Sequence, residues 1–420
     1  MNDQPPPLLP WAPELATPTG GGPAAAPRRA PGFVAASLLA LRLAWRQLRS
    51  EKARLASAIA GVMFACVLVF MQLGFRAALF DSATALIGAM RGDLFLMHPM
   101  TLASFKPEPL PRGRAYQVLA VPEVERAVPV YLAQATWRNP ENGTRRAIQL
   151  IGVDTDAGVL DFPGLAPLVE QLKRADTVAF DVRSRPEFGA VARLLAERGP
   201  FPVEVGNRQV DVVGLIEIGP SFGADGNIVL SDVNFRRVVK ERLVSAIDLV
   251  AIKLRPGSDV LAVQRQLREI LPADAMVLTQ AELNAHERRY WEEATPIGFI
   301  FAFGSLMGLV VGMVIVYQIL FSDIAGHLKE YATLKAMGYS NWYLGRVVLG
   351  ASLILAVAGF IPGFLLSTFL YDVVGASTFL PLAMDASRAT SVFLMIFTMC
   401  AVAGLLAMRK LRDANPADMF

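Results

Sequence analysis

The chain has 420 residues, of which 54% are hydrophobic and 18% charged, with a formal net charge of +3. Its mean hydropathy of +0.42 is too high for an ordinary soluble protein, while its charged fraction is too high for a bundle buried throughout in lipid. The near-even charge balance also excludes a nucleic-acid partner, leaving a few membrane spans joined to a sizeable water-exposed domain.

Residues 1–36 are rich in Pro, Ala and Gly, as in Pro5-Pro6-Pro7 and Gly20-Gly21-Gly22-Pro23. They bury too little apolar surface to offset their ordering entropy and read as a disordered tail. The first apolar run lies too far from Met1 for a signal peptide. Residues 37–54 form a predicted amphipathic cytoplasmic helix. Leu38, Leu41, Trp45 and Leu48 recur at helical spacing beside Arg42, Arg46 and Arg49, the pattern of a helix lying on an anionic membrane surface.

Four charge-poor runs of about 20 residues or more predict transmembrane helices over 55–78, 296–321, 347–370 and 389–407. Lys and Arg cluster before the first (Arg42 to Arg54), between the second and third (Lys329, Lys335, Arg346) and after the fourth (Arg409, Lys410, Arg412). The positive-inside rule therefore places both termini, the 322–346 segment and the 408–420 tail in the cytoplasm. Residues 79–295 and the 371–388 loop fall in the periplasm. The expected fold is an α-helical membrane protein of four transmembrane helices, with a large α+β periplasmic domain inserted between helices 1 and 2. Cys66 and Cys400 lie in apolar runs, so no disulfide framework is expected in that domain.

Within 79–295, strands are predicted over 93–97, 128–137, 145–153, 209–218, 227–230 and 249–254, with a hairpin signal at Asn142-Gly143. Helices are predicted over 167–173, 186–197 and 259–270. A further helix begins near Gln280, where Thr279 and Glu282 fit a capping box. It is expected to run on into the second span as one stiff link, with Tyr290 and Trp291 in the interfacial aromatic belt.

Apparent catalytic motifs fail on context. Gly219-Pro220-Ser221-Phe222-Gly223 matches G-x-S-x-G, but Ala224 to Asn227 read as a turn where a helix is required. His286-Glu287 starts like a zinc-protease helix, but Tyr290 stands where the second histidine belongs. With three histidines in the chain, no metal site is expected. No phosphate-binding G-x-x-x-x-G-K-[ST] loop occurs, so no cofactor is assigned to this chain and no catalytic residue is named.

Two constellations are candidate sites. Gly304, Gly308 and Gly312 recur every fourth residue of the second span, a spacing that lets helices approach closely in lipid. Between the second and third spans lies a short, helix-prone, charged segment: Lys329, Glu330, Tyr331, Ala332, Thr333, Leu334, Lys335, Ala336, Met337, Gly338 and Tyr339. Held between two spans at the membrane surface, it is placed to receive force from a soluble partner.

This segment, with Thr295-Pro296-Ile297-Gly298-Phe299-Ile300-Phe301, Val314-Ile315-Val316-Tyr317-Gln318-Ile319-Leu320 and the 219–227 block, resembles the MacB and FtsX superfamily of ABC-transporter permeases. The DevC-like branch of exporters is the nearer likeness. The resemblance spans about residues 40–420. It implies a homodimer in the bacterial inner membrane, in contact with membrane lipid and paired with separate ABC ATPase subunits that bind the ATP. The 329–339 segment would be the coupling helix docking on that ATPase. It further implies a periplasmic adaptor (a membrane fusion protein), a TolC-like outer-membrane channel, and export of an amphiphilic, glycolipid-like cargo by mechanical transmission. The same layout also fits an FtsX-like regulator of a cell-wall hydrolase and a lipoprotein-extraction permease.

Overall fold

A computed structural model of the chain describes residues 52–240, 243–327 and 340–413, together with Glu330, Thr333 and Met337. Most of the predicted 37–54 amphipathic helix falls outside the described residues.

Four helices are long and apolar enough to cross a bilayer: α1 (Lys52–Gly88), α8 (Pro296–Gly326), α9 (Asn341–Thr378) and α10 (Ala386–Asp413). In the bundle, α1 packs on α8 and α9, and α10 closes the ring against both. Its core includes Val62, Cys66, Phe70, Val316, Leu355 and Cys400, so both thiols are buried among packed helices. α8 is the least buried of the four, leaving Phe299, Phe303, Leu306, Val310 and Val314 exposed, as an apolar solvent permits. Each helix outlasts its predicted span, and α1 runs ten residues past position 78.

The region between α1 and α8 is an α+β domain on a nine-stranded mixed sheet. Its strands in chain order are β1 (Leu94–Met97), β2 (Leu110–Pro111), β3 (Val124–Arg138), β4 (Arg145–Val153), β5 (Thr177–Asp181), β6 (Phe201–Val205), β7 (Arg208–Ile216), β8 (Asn227–Ser231), β9 (Ala246–Ile247), β10 (Leu249–Leu254) and β11 (Met276–Thr279). The large sheet runs β11-β1-β10-β3-β4-β8-β5-β7-β6, and β2 pairs with β9 apart from it. The edge strand β6 curls back to touch β3 at Trp137 and Val205. The helices of this domain are α2 (Gly113–Val118), α3 (Val169–Leu172), α4 (Val191–Arg198), α5 (Asp232–Val238), α6 (Val260–Ile270) and α7 (Gln280–Glu293).

Both faces of the central strands are buried, and alternate residues enter different cores. Leu94, Leu96, Leu150, Val178 and Leu230 join one cluster with Trp137, Phe188 and Phe235. Phe95, Met97, Ile151, Ala179 and Val229 join the other. The predicted strands at 145–153 and 249–254 match β4 and β10 at both ends. β2, β5, β6, β9 and β11 were not predicted. Pro202 argues against β6, which tolerates it as an edge strand.

Candidate functional site

The described candidate site is the joint between the membrane helices and the outer domain. At 1.5 Å per residue, the 37 residues of α1 make a rod of about 55 Å, against about 30 Å of hydrocarbon. Its outer end therefore projects from the bilayer as a stalk, alongside α7. Arg76 pairs with Glu292 at 2.8 Å and Arg288 with Asp81 at 3.4 Å. Gln280 donates to the Ile87 carbonyl at 3.2 Å. Low helix residues thus meet high ones, so the two rods are antiparallel. At the top of α7, Thr279 and Glu282 form the predicted capping box. The Thr279 N–H, chief among several donors, holds the Glu282 carboxyl below its ordinary value.

α7 does not continue into α8, contrary to the single stiff link expected from sequence. It ends at Glu293, and Thr295 is extended (φ −124°, ψ 154°) before Pro296 opens α8. Proline disfavours helical geometry in the residue before it. The Thr295 hydroxyl bridges the break, donating to the Trp291 carbonyl at 2.7 Å and accepting from Ile297 N–H at 3.3 Å. Gly298 makes the bend possible, because a Cβ there would stand 2.5 Å from the Glu292 carbonyl oxygen.

Apolar packing surrounds this break. Leu79, Phe80, Ala83 and Trp291 form a cluster joined by Phe105, Tyr290, Ile297 and Phe301. Trp291 is 6% exposed, with its ring 5.5 Å from Phe105 and 5.8 Å from Phe222. It is enclosed by protein, where the sequence placed it in the interfacial belt, because two loops of the outer domain fold over it.

Side chains of α7 grip the first loop. Glu287 accepts from the Ser104 N–H at 2.8 Å and from the Trp291 indole at 3.3 Å, and His286 Nε2 donates to the Thr101 carbonyl at 2.8 Å. Burial pushes the Glu287 carboxyl above its ordinary value, against the pull of those donors. The second loop, 219–227, is organised by Asp181. This fully buried carboxylate accepts from the N–H groups of Arg183, Ile218 and Gly219 and from the Asn227 amide, at 2.9–3.1 Å. Burial raises its pKa too, opposed by these same hydrogen bonds. Ser221 Oγ accepts from the N–H groups of Gly223 and Ala224, so it serves the turn.

Sequence reasoning weighed Glu287 only as part of a failed zinc-protease motif, and passed over Phe105, Asp181 and the stalk ion pairs. The charge order did carry a signal for the last. Arg76 then Asp81, set against Arg288 then Glu292, reads as two complementary antiparallel helices.

The predicted site residues fall in two places. Gly308 and Gly312 are buried and Gly304 half-buried, all on the side of α8 facing α1. A Cβ would meet Gln72 at position 304, Leu68 at 308, and Ala65 and Met399 at 312. They are therefore apart from the joint, inside the bundle. Of the 329–339 segment, Glu330, Thr333 and Met337 are described. Lys329, Tyr331, Ala332, Leu334, Lys335, Ala336, Gly338 and Tyr339 lie outside the described residues.

Comparison with known proteins bears directly on this architecture. The model of the MacB-like periplasmic core domain matches residues 55–270, and that of the FtsX-like permease C-terminal domain matches 302–416. The chain belongs to the MacB/FtsX permease superfamily. It is thus a multi-pass membrane permease component of the ABC-transporter kind, and such a component is not itself an enzyme. No curated protein matches the chain. Among solved structures, the periplasmic region of MacB from Actinobacillus actinomycetemcomitans is 11% identical, covering 47% of this chain and 94% of that one, with a TM-score of 0.33. The extracellular domain of the noncanonic ABC-type transporter YknZ from Gram-positive bacteria is 13% identical, covering 45% and 99%, with a TM-score of 0.31.

Proposed function

We propose that this permease is the inner-membrane subunit of a DevC-like exporter, worked by separate ATPase chains and acting on the periplasmic side. The 329–339 segment docks on the ATPase as a coupling helix. ATP binding brings the two ATPases together and shifts that segment. α1 and α8 carry the shift across the bilayer, and the outer domains of a homodimer change their spacing. An amphiphilic cargo is thereby driven into a periplasmic adaptor and an outer-membrane channel. Both termini face the cytoplasm.

The observation that carries this reading is the doubly tied stalk. α1 packs against α8 inside the membrane and pairs with α7 outside it, so displacement of one span reaches the sheet domain without a flexible linker. Coupling requires contacts that differ between two states, and the exposed ion pairs of the stalk exchange at low cost.

The test places proline at Leu334 and measures ATPase binding and export in reconstituted membranes. Export is expected to fall to background at normal expression, with weakened ATPase binding. Unchanged export would remove the coupling role. Co-purification of an adaptor and channel, as opposed to a hydrolase or a lipoprotein carrier, decides the downstream path.

A further inference from the structure

A small cavity of about 30 Å³ lies between α1 and the outer domain, lined by Ser82 and Leu86 of α1, Ser104, Gln149 of β4, Ser221 and Asn227. Gln149 is 3% exposed, and neither its Nε2 nor its Oε1 has a hydrogen-bond partner among the described residues. A buried amide without partners is costly, and native proteins satisfy such groups. The cavity exceeds the roughly 10–15 Å³ that one water needs and is polar on several sides.

The hydroxyls around it have spare capacity. Ser82 Oγ spends its proton on the Leu79 carbonyl, leaving lone pairs to accept with. Ser221 Oγ accepts from two backbone N–H groups, leaving its proton to donate. From these groups we infer that the cavity is a binding site for one or two ordered water molecules, held by the Gln149 amide with Ser82 and Ser221.

The experiment is a structure of the full chain in lipid nanodiscs, at a resolution that shows ordered water, for the wild type and Gln149→Met. Density within hydrogen-bond distance of the Gln149 amide, lost in the variant, supports the site. A dry or collapsed cavity, or a Gln149 amide bonded to a protein group, overturns it.

Discussion

The helix bundle and the sheet domain satisfy their polar groups in opposite ways. In the bundle, hydroxyls turn back on their own helices: Ser352 donates to the Leu349 carbonyl, Ser367 to Gly363 and Thr368 to Phe364. Cohesion between helices comes from close approach. Gly359 and Gly363 of α9 lie against Val62 and Cys66 of α1, and Gly312 of α8 against Ala65. The Tyr371 hydroxyl crosses to the Phe70 carbonyl, through space that Gly74 leaves open. In the outer domain, buried carboxylates organise whole loops across long sequence separations, as Asp181 and Glu287 do. Lipid offers no hydrophobic drive between helices, so shape must do the work there. In water the apolar core supplies the drive, and polar networks set the geometry of the loops that cover it.

The contrast predicts where each region breaks. Asp181→Ala should have the largest effect. It strips the acceptor from three backbone N–H groups and the Asn227 amide, at a cost of about 3–5 kcal/mol. Denaturant unfolding should show the loss, and hydrogen exchange should speed up first over residues 218–227. Gly312→Val should break the bundle instead. Its added carbons meet Ala65 and Met399, and overpacking of this kind costs about 1–3 kcal/mol. The change should appear in the thermal stability of the membrane part, with the outer domain's unfolding unmoved.

A pH dependence separates the regions further. Because burial raises the Glu287 carboxyl, the folded chain holds that proton more tightly than the unfolded chain. Its contribution is fully present below the ordinary value near 4.5. It declines as pH rises from there through the raised folded value, and is flat beyond. Glu287→Gln should abolish this decline. Subtracting the variant's pH profile from the wild type's isolates it from Asp181, which slopes the same way, and from Asp176 and Glu282, which slope oppositely.

Tyr371→Phe removes the hydrogen bond between α9 and α1 and should cost about 1 kcal/mol, in the range measured for such bonds in membranes. Arg76→Ala should cost least. Its pair with Glu292 is about two-fifths exposed on both sides, so the loss should stay under about 1 kcal/mol. A larger loss would mean that the stalk is held by its charges more than by the Phe80–Trp291 cluster.

The spans, the outer domain between the first two of them, β4, β10 and the capping box at Thr279 were all legible in the sequence. Each is written in local pattern: run length, period, or a residue pair three apart. A charge-free run of 20 residues has few alternatives in water. What only the tertiary structure decided is how distant segments meet at the joint. The enclosure of Trp291 by Phe105 and Phe222 and the gathering of Ser82, Gln149 and Ser221 around one cavity join positions as far apart as 105 and 291. The break between α7 and α8 is local, and proline at 296 hinted at it. The other two depend on the sheet order, which brings β4 beside β8 and the 219–227 loop over α7. Side-chain chemistry at one position does not specify a partner that far away, because the contact is fixed by the packing of everything between.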